Sequence, residues 1–83
     1  LLRAAVERAP GLHRAWYNLG LLLAEHGRLA EAAEALRQAE RAEPRVADYP
    51  HALATVLQRL GDREGAREAA ARAASLAARP DSP

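Results

Sequence analysis

The chain has 83 residues, enough for one small domain, with 22 Ala, 13 Leu and 12 Arg and neither Cys nor Met. The absence of Cys excludes a disulfide framework, a thiolate nucleophile and a cysteine zinc site. The 12 Arg stand against 11 acidic residues, for a formal net charge of +1. Nucleic acid and anionic membranes are not expected as partners, because both require clustered positive charge.

The composition predicts an all-α fold. Ala, Leu, Arg and Glu favour helices, whereas the β-branched residues are three Val and one Thr. The longest apolar run, Leu19–Ala24, is far shorter than the about 20 residues that span a bilayer. Because the chain does not begin with Met, we expect it to be part of a longer protein or a processed product. The compartment stays open, with the cytoplasm favoured, and abundant Arg without Lys favours a bacterial source by composition alone.

Apolar periodicity predicts five helices, and short loops make successive helices antiparallel. In chain order they cover residues 1–9, 13–26, 29–42, 48–60 and 63–78. The first ends at the breaker pair Pro10 and Gly11, and Gly27 is expected to end the second in a left-handed conformation. Asp48 is expected to cap the fourth helix, with Pro50 in its first turn. The tail after residue 78 is expected to fray.

A period of 34 residues runs through the chain. It relates Gly27 to Gly61, Leu19 to Leu53, Leu23 to Leu57, Ala32 to Ala66 and Ala39 to Ala73, and further back Leu2 to Leu36, Ala5 to Ala39 and Pro10 to Pro44. Fixed self-similarity at this spacing is typical of a helical repeat array. The alternative is a plain Ala-rich bundle with accidental periodicity, which so many matches at one offset disfavour.

Residues 13–46 resemble the tetratricopeptide repeat, a family of 34-residue helix–turn–helix units. The matching positions are Trp16, Leu19, Gly20 and Leu23 in the first helix, Gly27 in the turn, Ala32, Leu36 and Ala39 in the second helix, and Pro44 after it. Residues 47–80 are a degenerate second copy, in which Pro50 replaces Trp16 and Ala70 replaces Leu36. Residues 1–12 are similar to the second helix and turn of a preceding repeat, and residues 81–83 form the tail. The resemblance implies a right-handed superhelix of stacked antiparallel hairpins, an α-solenoid fragment.

The expected core follows from the same pattern. The apolar stripe of the second helix consists of Ala15, Trp16, Leu19, Leu22 and Leu23. Small residues are expected where two helices cross closely, namely Gly20, Ala32, Ala39, Ala54, Ala66 and Ala73. Larger side chains, including Leu36, Leu53 and Leu57, are expected to fill the remaining space.

The face opposite this stripe carries the candidate binding residues. Leu21 lies about 200° around the helix from Leu19, so core packing does not require it. In the resembling family, first helices of successive repeats line a concave surface that commonly meets a peptide. The positions that this implies are Arg14, Tyr17, Asn18, Leu21 and Glu25 in the first repeat, and Asp48, His51, Thr55, Gln58 and Arg59 in the second. We assign Tyr17 to the groove, whereas Leu21 either meets a ligand or covers a helix of a missing upstream repeat.

No catalytic residue, metal site or cofactor is predicted, and an enzyme is not expected. His13 and His26 lie about 20 Å apart along one helix, so they cannot share a metal ion. His51 follows Asp48 by three residues, which is more typical of a capping or solvated pair than of a catalytic one. The five Gly form no phosphate-binding motif.

The function predicted from these patterns is protein–protein interaction, either by binding a peptide or helix in the groove or by acting as a scaffold in a larger protein. One alternative is a self-associating structural segment, and another is the regulatory part of an enzyme whose catalytic domain is absent. The predicted helix over residues 1–9 lacks its own hairpin partner. We therefore expect one of two outcomes. Residues 1–9 either fray or, as we favour, their apolar stripe pairs with a second copy in a homodimer; the stripe consists of Leu1, Leu2, Ala5 and Val6.

Overall fold

The computed structural model of the chain describes residues 11–78. Within this range the fold is all-α, with four helices: α1 (Leu12–Glu25), α2 (Leu29–Ala42), α3 (Asp48–Leu60) and α4 (Arg63–Ala78). The predicted bounds of α2, α3 and α4 are confirmed, and α1 begins and ends one residue before its predicted bounds. The prediction of five helices thus becomes four in the described range, because the helix expected over residues 1–9 lies outside it. The expected tail after residue 78 also lies outside it.

The two hairpin turns have the same geometry and stand 34 residues apart. Gly27 and Gly61 take left-handed conformations, with φ of 77° and 90°, which are costly for a residue that carries a Cβ. In each turn the residue after the glycine donates its N–H to the carbonyl five residues earlier, at 2.9 Å. These bonds satisfy carbonyl groups that the helix end would otherwise leave free. The C-terminal role predicted for Gly27 is confirmed.

The helix starts differ in how they are capped. Oδ1 of Asp62 accepts the backbone N–H of Gly65 at 3.0 Å, which satisfies one free donor in the first turn of α4. The capping role predicted for Asp48 is wrong, because Asp48 is the first helical residue and no side chain caps α3 at Ala47. Pro50 lies in the first turn of α3 as predicted, where its missing N–H breaks no helical hydrogen bond.

One core is shared by the two hairpins. Its buried members come from the last three helices and are Ala32, Ala33, Leu36, Leu53, Val56, Leu57 and Ala69. From α1, partly buried residues including Tyr17 and Leu23 pack against it. The predicted close crossing at Gly20 is confirmed, since a Cβ there would lie 2.7 Å from Cγ of Leu36. Absence of a side chain at Gly20 therefore sets how closely α1 approaches α2.

The outer face of α1 is exposed where the sequence predicts core. Leu19 and Leu22 are 41 % and 51 % exposed, so their assignment to the core is wrong for the described fold. Their equivalents 34 residues later, Leu53 and Val56, are 1 % and 4 % exposed, because α2 and α4 both pack against α3. Among residues 11–78, α1 packs mainly against α2. The apolar side chains on the other side of α1 are therefore not covered by a described helix.

A salt bridge connects the two hairpins at their second helices. The guanidinium of Arg72 on α4 donates to both carboxylate oxygens of Glu40 on α2, at 2.7 and 3.1 Å. This bidentate contact raises the pKa of Arg72 above its usual value. No helix in the described range is both long enough and apolar enough to cross a membrane.

Candidate functional site

Side chains on the first helix of each hairpin form two exposed rows. The α1 row consists of Arg14, Asn18, Leu21 and Glu25, and the α3 row consists of Asp48, His51, Thr55, Gln58 and Arg59. Leu21 is 39 % exposed and is the one large apolar side chain in these rows. Of the ten candidate residues, only Tyr17 is partly buried. Both rows are thus accessible to a ligand in the described fold.

Tyr17 contacts the second hairpin. Its ring centroid lies 5.0 Å from that of Tyr49 on α3, and Tyr17 also packs against the core. Nδ1 of His13 lies 2.6 Å from the hydroxyl oxygen of Tyr49. Tyr49 is 3 % exposed, and burial raises the pKa of its phenol. Tyr17 therefore helps to hold α1 against α3, and only part of its side chain is available to a ligand.

An open groove of about 800 Å³ lies between α3 and α4. Its walls carry His51, Thr55 and Gln58 from α3 and Arg63 and Arg67 from α4, over a floor that is mainly alanine. A depression of about 420 Å³ that shares His51 extends toward the start of α3 and is lined by Asp48 and by alanines of α4. The structure thus brings four candidate residues of the α3 row together with α4.

Sequence reasoning missed the two arginines of this groove. It considered only first helices, whereas Arg63 and Arg67 lie on the second helix of their hairpin. The signal was present in the 34-residue period, because their equivalents in the preceding hairpin are Leu29 and Ala33. A change from apolar to charged residues at equivalent positions indicates that the second surface is not buried in the way that the first one is.

The polar groups of the site offer hydrogen bonds and charge. Within residues 11–78 no group of three or more His, Asp or Glu is placed to hold a metal ion. Nδ1 of His26, the residue that follows α1, donates to the carbonyl of Leu22 at 2.9 Å. Thr55 donates its hydroxyl to the carbonyl of His51 at 3.3 Å. The arrangement is suited to recognising a polar segment of another molecule.

Antiparallel hairpins with identical turns and an exposed row on each first helix define a helical-repeat protein. Residues 13–46 match the model of the tetratricopeptide repeat family. This match confirms the resemblance predicted from Trp16, Gly20 and Leu36. Members of this family are in general non-catalytic repeats that interact with proteins. No curated protein matches the chain.

Proposed function

We propose that the chain is a protein–protein interaction module that holds a peptide or helix of a partner protein against the exposed rows of α1 and α3. The observation that carries this proposal is the match of residues 13–46 to the tetratricopeptide repeat. The exposure of both rows supports it, since a ligand has access to them without rearrangement of the helices. Leu21 supplies an apolar anchor, and the polar side chains around it supply orientation and specificity.

The proposed architecture is a segment of a right-handed superhelix within a longer, bacterial scaffold protein. The second repeat of this proposal begins at residue 47, and the preceding repeat that the sequence predicts over residues 1–12 lies almost wholly outside the described residues. The matching turns at Gly27 and Gly61 support this arrangement, because equal turns give each hairpin the same internal geometry. In such an array each repeat is stabilised mainly by its neighbours. The rows of α1 and α3 then lie side by side on one concave surface.

We further propose that the chain forms a homodimer in which a second copy covers the outer face of α1. Residues 1–9, through which the sequence predicts this pairing, lie outside the described residues. The exposure of Leu19 and Leu22 supports the proposal. On the equivalent face of α3, Leu53 and Val56 are buried by neighbouring helices.

Selection from a random peptide library on the folded chain tests the proposed function. We expect selected peptides to bind with affinities that fall by about 1–2 kcal/mol when Leu21 or His51 is replaced by Ala. Glu34→Ala is the matched control, because Glu34 is exposed on the second helix α2, and it should leave binding unchanged. Failure to select any peptide, or equal effects of all three variants, would contradict a binding surface on the first helices.

A further inference from the structure

We infer that the groove between α3 and α4 binds an acidic segment of a partner protein. This inference rests on the proposed function, since it names the partner chemistry for part of the same surface. It adds α4 to that surface, with Arg63 and Arg67 as the groups that recognise carboxylates.

The corresponding groove of the first hairpin, between α1 and α2, is apolar and is filled by α3. Ala33 is buried in the core cluster with Val56 and Leu57 of α3, and Leu29 packs against the same cluster. In the second hairpin these two positions are Arg63 and Arg67, and the groove remains open in the described fold. The two hairpins thus differ at equivalent positions. The surface of the first is apolar and is covered by α3, whereas the surface of the second carries two arginines and is open.

The charged side chains that line the groove are arginines. Arg63 and Arg67 lie one turn apart on α4, and within residues 11–78 no carboxylate oxygen lies within 4.0 Å of either guanidinium. The residues that line the 800 Å³ groove include no Asp or Glu. Gln58 adds an amide donor on the opposite wall. An occupant that supplies carboxylates would therefore find donors on both sides.

An apolar helix fits this groove poorly. Packing such a helix over the arginines would remove two charges from water without a partner, which is costly. A carboxylate instead accepts two parallel N–H···O bonds from a guanidinium. The alanine floor, including Ala66 and Ala70, leaves room for a backbone to approach closely.

The carboxylates of α4 favour a peptide over a nucleic acid. Glu64 and Glu68 follow Arg63 and Arg67 directly in sequence, so positive and negative groups alternate along this helix. A strand with a phosphate on every nucleotide would be repelled by them, whereas a peptide can place isolated Asp or Glu residues at the arginines.

Fluorescence anisotropy with the full 83-residue chain tests the inference. The probe is a labelled peptide of about twelve residues, the length of a helix that spans the groove, in which one Asp and one Glu stand one helical turn apart among Ala and Ser. The reference peptide has Asn and Gln in place of the acids, and a third peptide carries residues 46–60 of this chain, the occupant of the first groove. We expect the acidic peptide to bind at least about tenfold more tightly than both others at low salt.

Two double variants with equal charge change separate the groove from net charge. Arg63→Gln with Arg67→Gln should weaken acidic-peptide binding about tenfold, whereas Arg37→Gln with Arg41→Gln on α2 should have little effect. Circular dichroism shows that each variant remains folded. Equal binding of all peptides, equal loss in both double variants, tighter binding of the 46–60 peptide, or preference for a single-stranded oligonucleotide would each overturn the inference. If the random library yields peptides that depend on Leu21 and are not acidic, the proposed function stands and this inference fails.

Discussion

Replacement of Gly20 by Ala tests the close crossing of α1 and α2. At an open helical position this change stabilises a protein by about 0.5–1 kcal/mol, because Ala has the higher helix propensity. At Gly20 the new Cβ would lie 2.7 Å from Cγ and 2.8 Å from Cδ2 of Leu36. Leu36 is 0 % exposed, so its side chain has no solvent-filled space into which it can turn.

The expected result is a net loss of stability. Overpacking of a filled site costs about 1–3 kcal/mol, and the gain in helix propensity offsets part of it. We therefore expect the free energy of unfolding to fall by about 0.5–2 kcal/mol. Urea denaturation followed by far-ultraviolet circular dichroism measures this change, with a stabilising osmolyte present so that weakened variants retain a folded baseline.

The second hairpin suggests the control. There the equivalents of Gly20 and Leu36 are Ala54 and Ala70, so a larger residue on one helix accompanies a smaller one on the other. In a Leu36→Ala background, Gly20→Ala should therefore be neutral or stabilising, which gives a coupling energy of about 1 kcal/mol or more in the double-mutant cycle. Stabilisation of the unmodified chain by Gly20→Ala, or a coupling energy near zero, would refute the close crossing.

Ala32→Leu should lower the free energy of unfolding by about 1–3 kcal/mol in the same assay, because Ala32 is 0 % exposed and the added volume strains the core; a neutral effect would contradict the packing. Burial raises the pKa of Tyr49, so the folded state holds its proton more tightly than the unfolded state, and stability that is complete below about pH 10 should fall as the pH rises further. Tyr49→Phe should flatten that fall, and equal pH profiles of the two proteins would exclude Tyr49 as its source. Dilution over about a hundredfold concentration range should shift the emission of Trp16 to longer wavelength if a second copy covers the outer face of α1; an unchanged spectrum together with a constant sedimentation coefficient would exclude the homodimer.

The helices and their ends could be predicted from the sequence because they depend on local interactions. Apolar residues at helical spacing identify each helix, and a glycine at Gly27 and Gly61 supplies the left-handed residue that each hairpin turn requires. The cap of α3 is the exception. Asp48 is a suitable capping residue by type, but the backbone places it one position inside the helix, and a cap requires both the residue and its conformation.

The sequence also determined which faces are apolar, since the period and the stripes follow from residue order alone. It could not determine which of those faces are covered. Leu19 and Leu53 occupy equivalent positions, yet one is 41 % exposed and the other 1 % exposed, because α3 packs against a described helix on each side whereas α1 packs mainly against α2. Burial depends on neighbours that are distant in sequence, and a stripe of leucines is the same with or without them.

The candidate site also has features that could be predicted from the sequence and features that only the tertiary structure decided. The exposed rows could be found from helical geometry, because a side chain opposite the apolar stripe points away from the core. The packing of Tyr17 on Tyr49 and the meeting of His51 with Arg63 and Arg67 in one groove were decided by how α1, α3 and α4 dock. Docking is set by the sum of many contacts across the helix interfaces, so no single residue or local spacing encodes which side chains face each other across a groove.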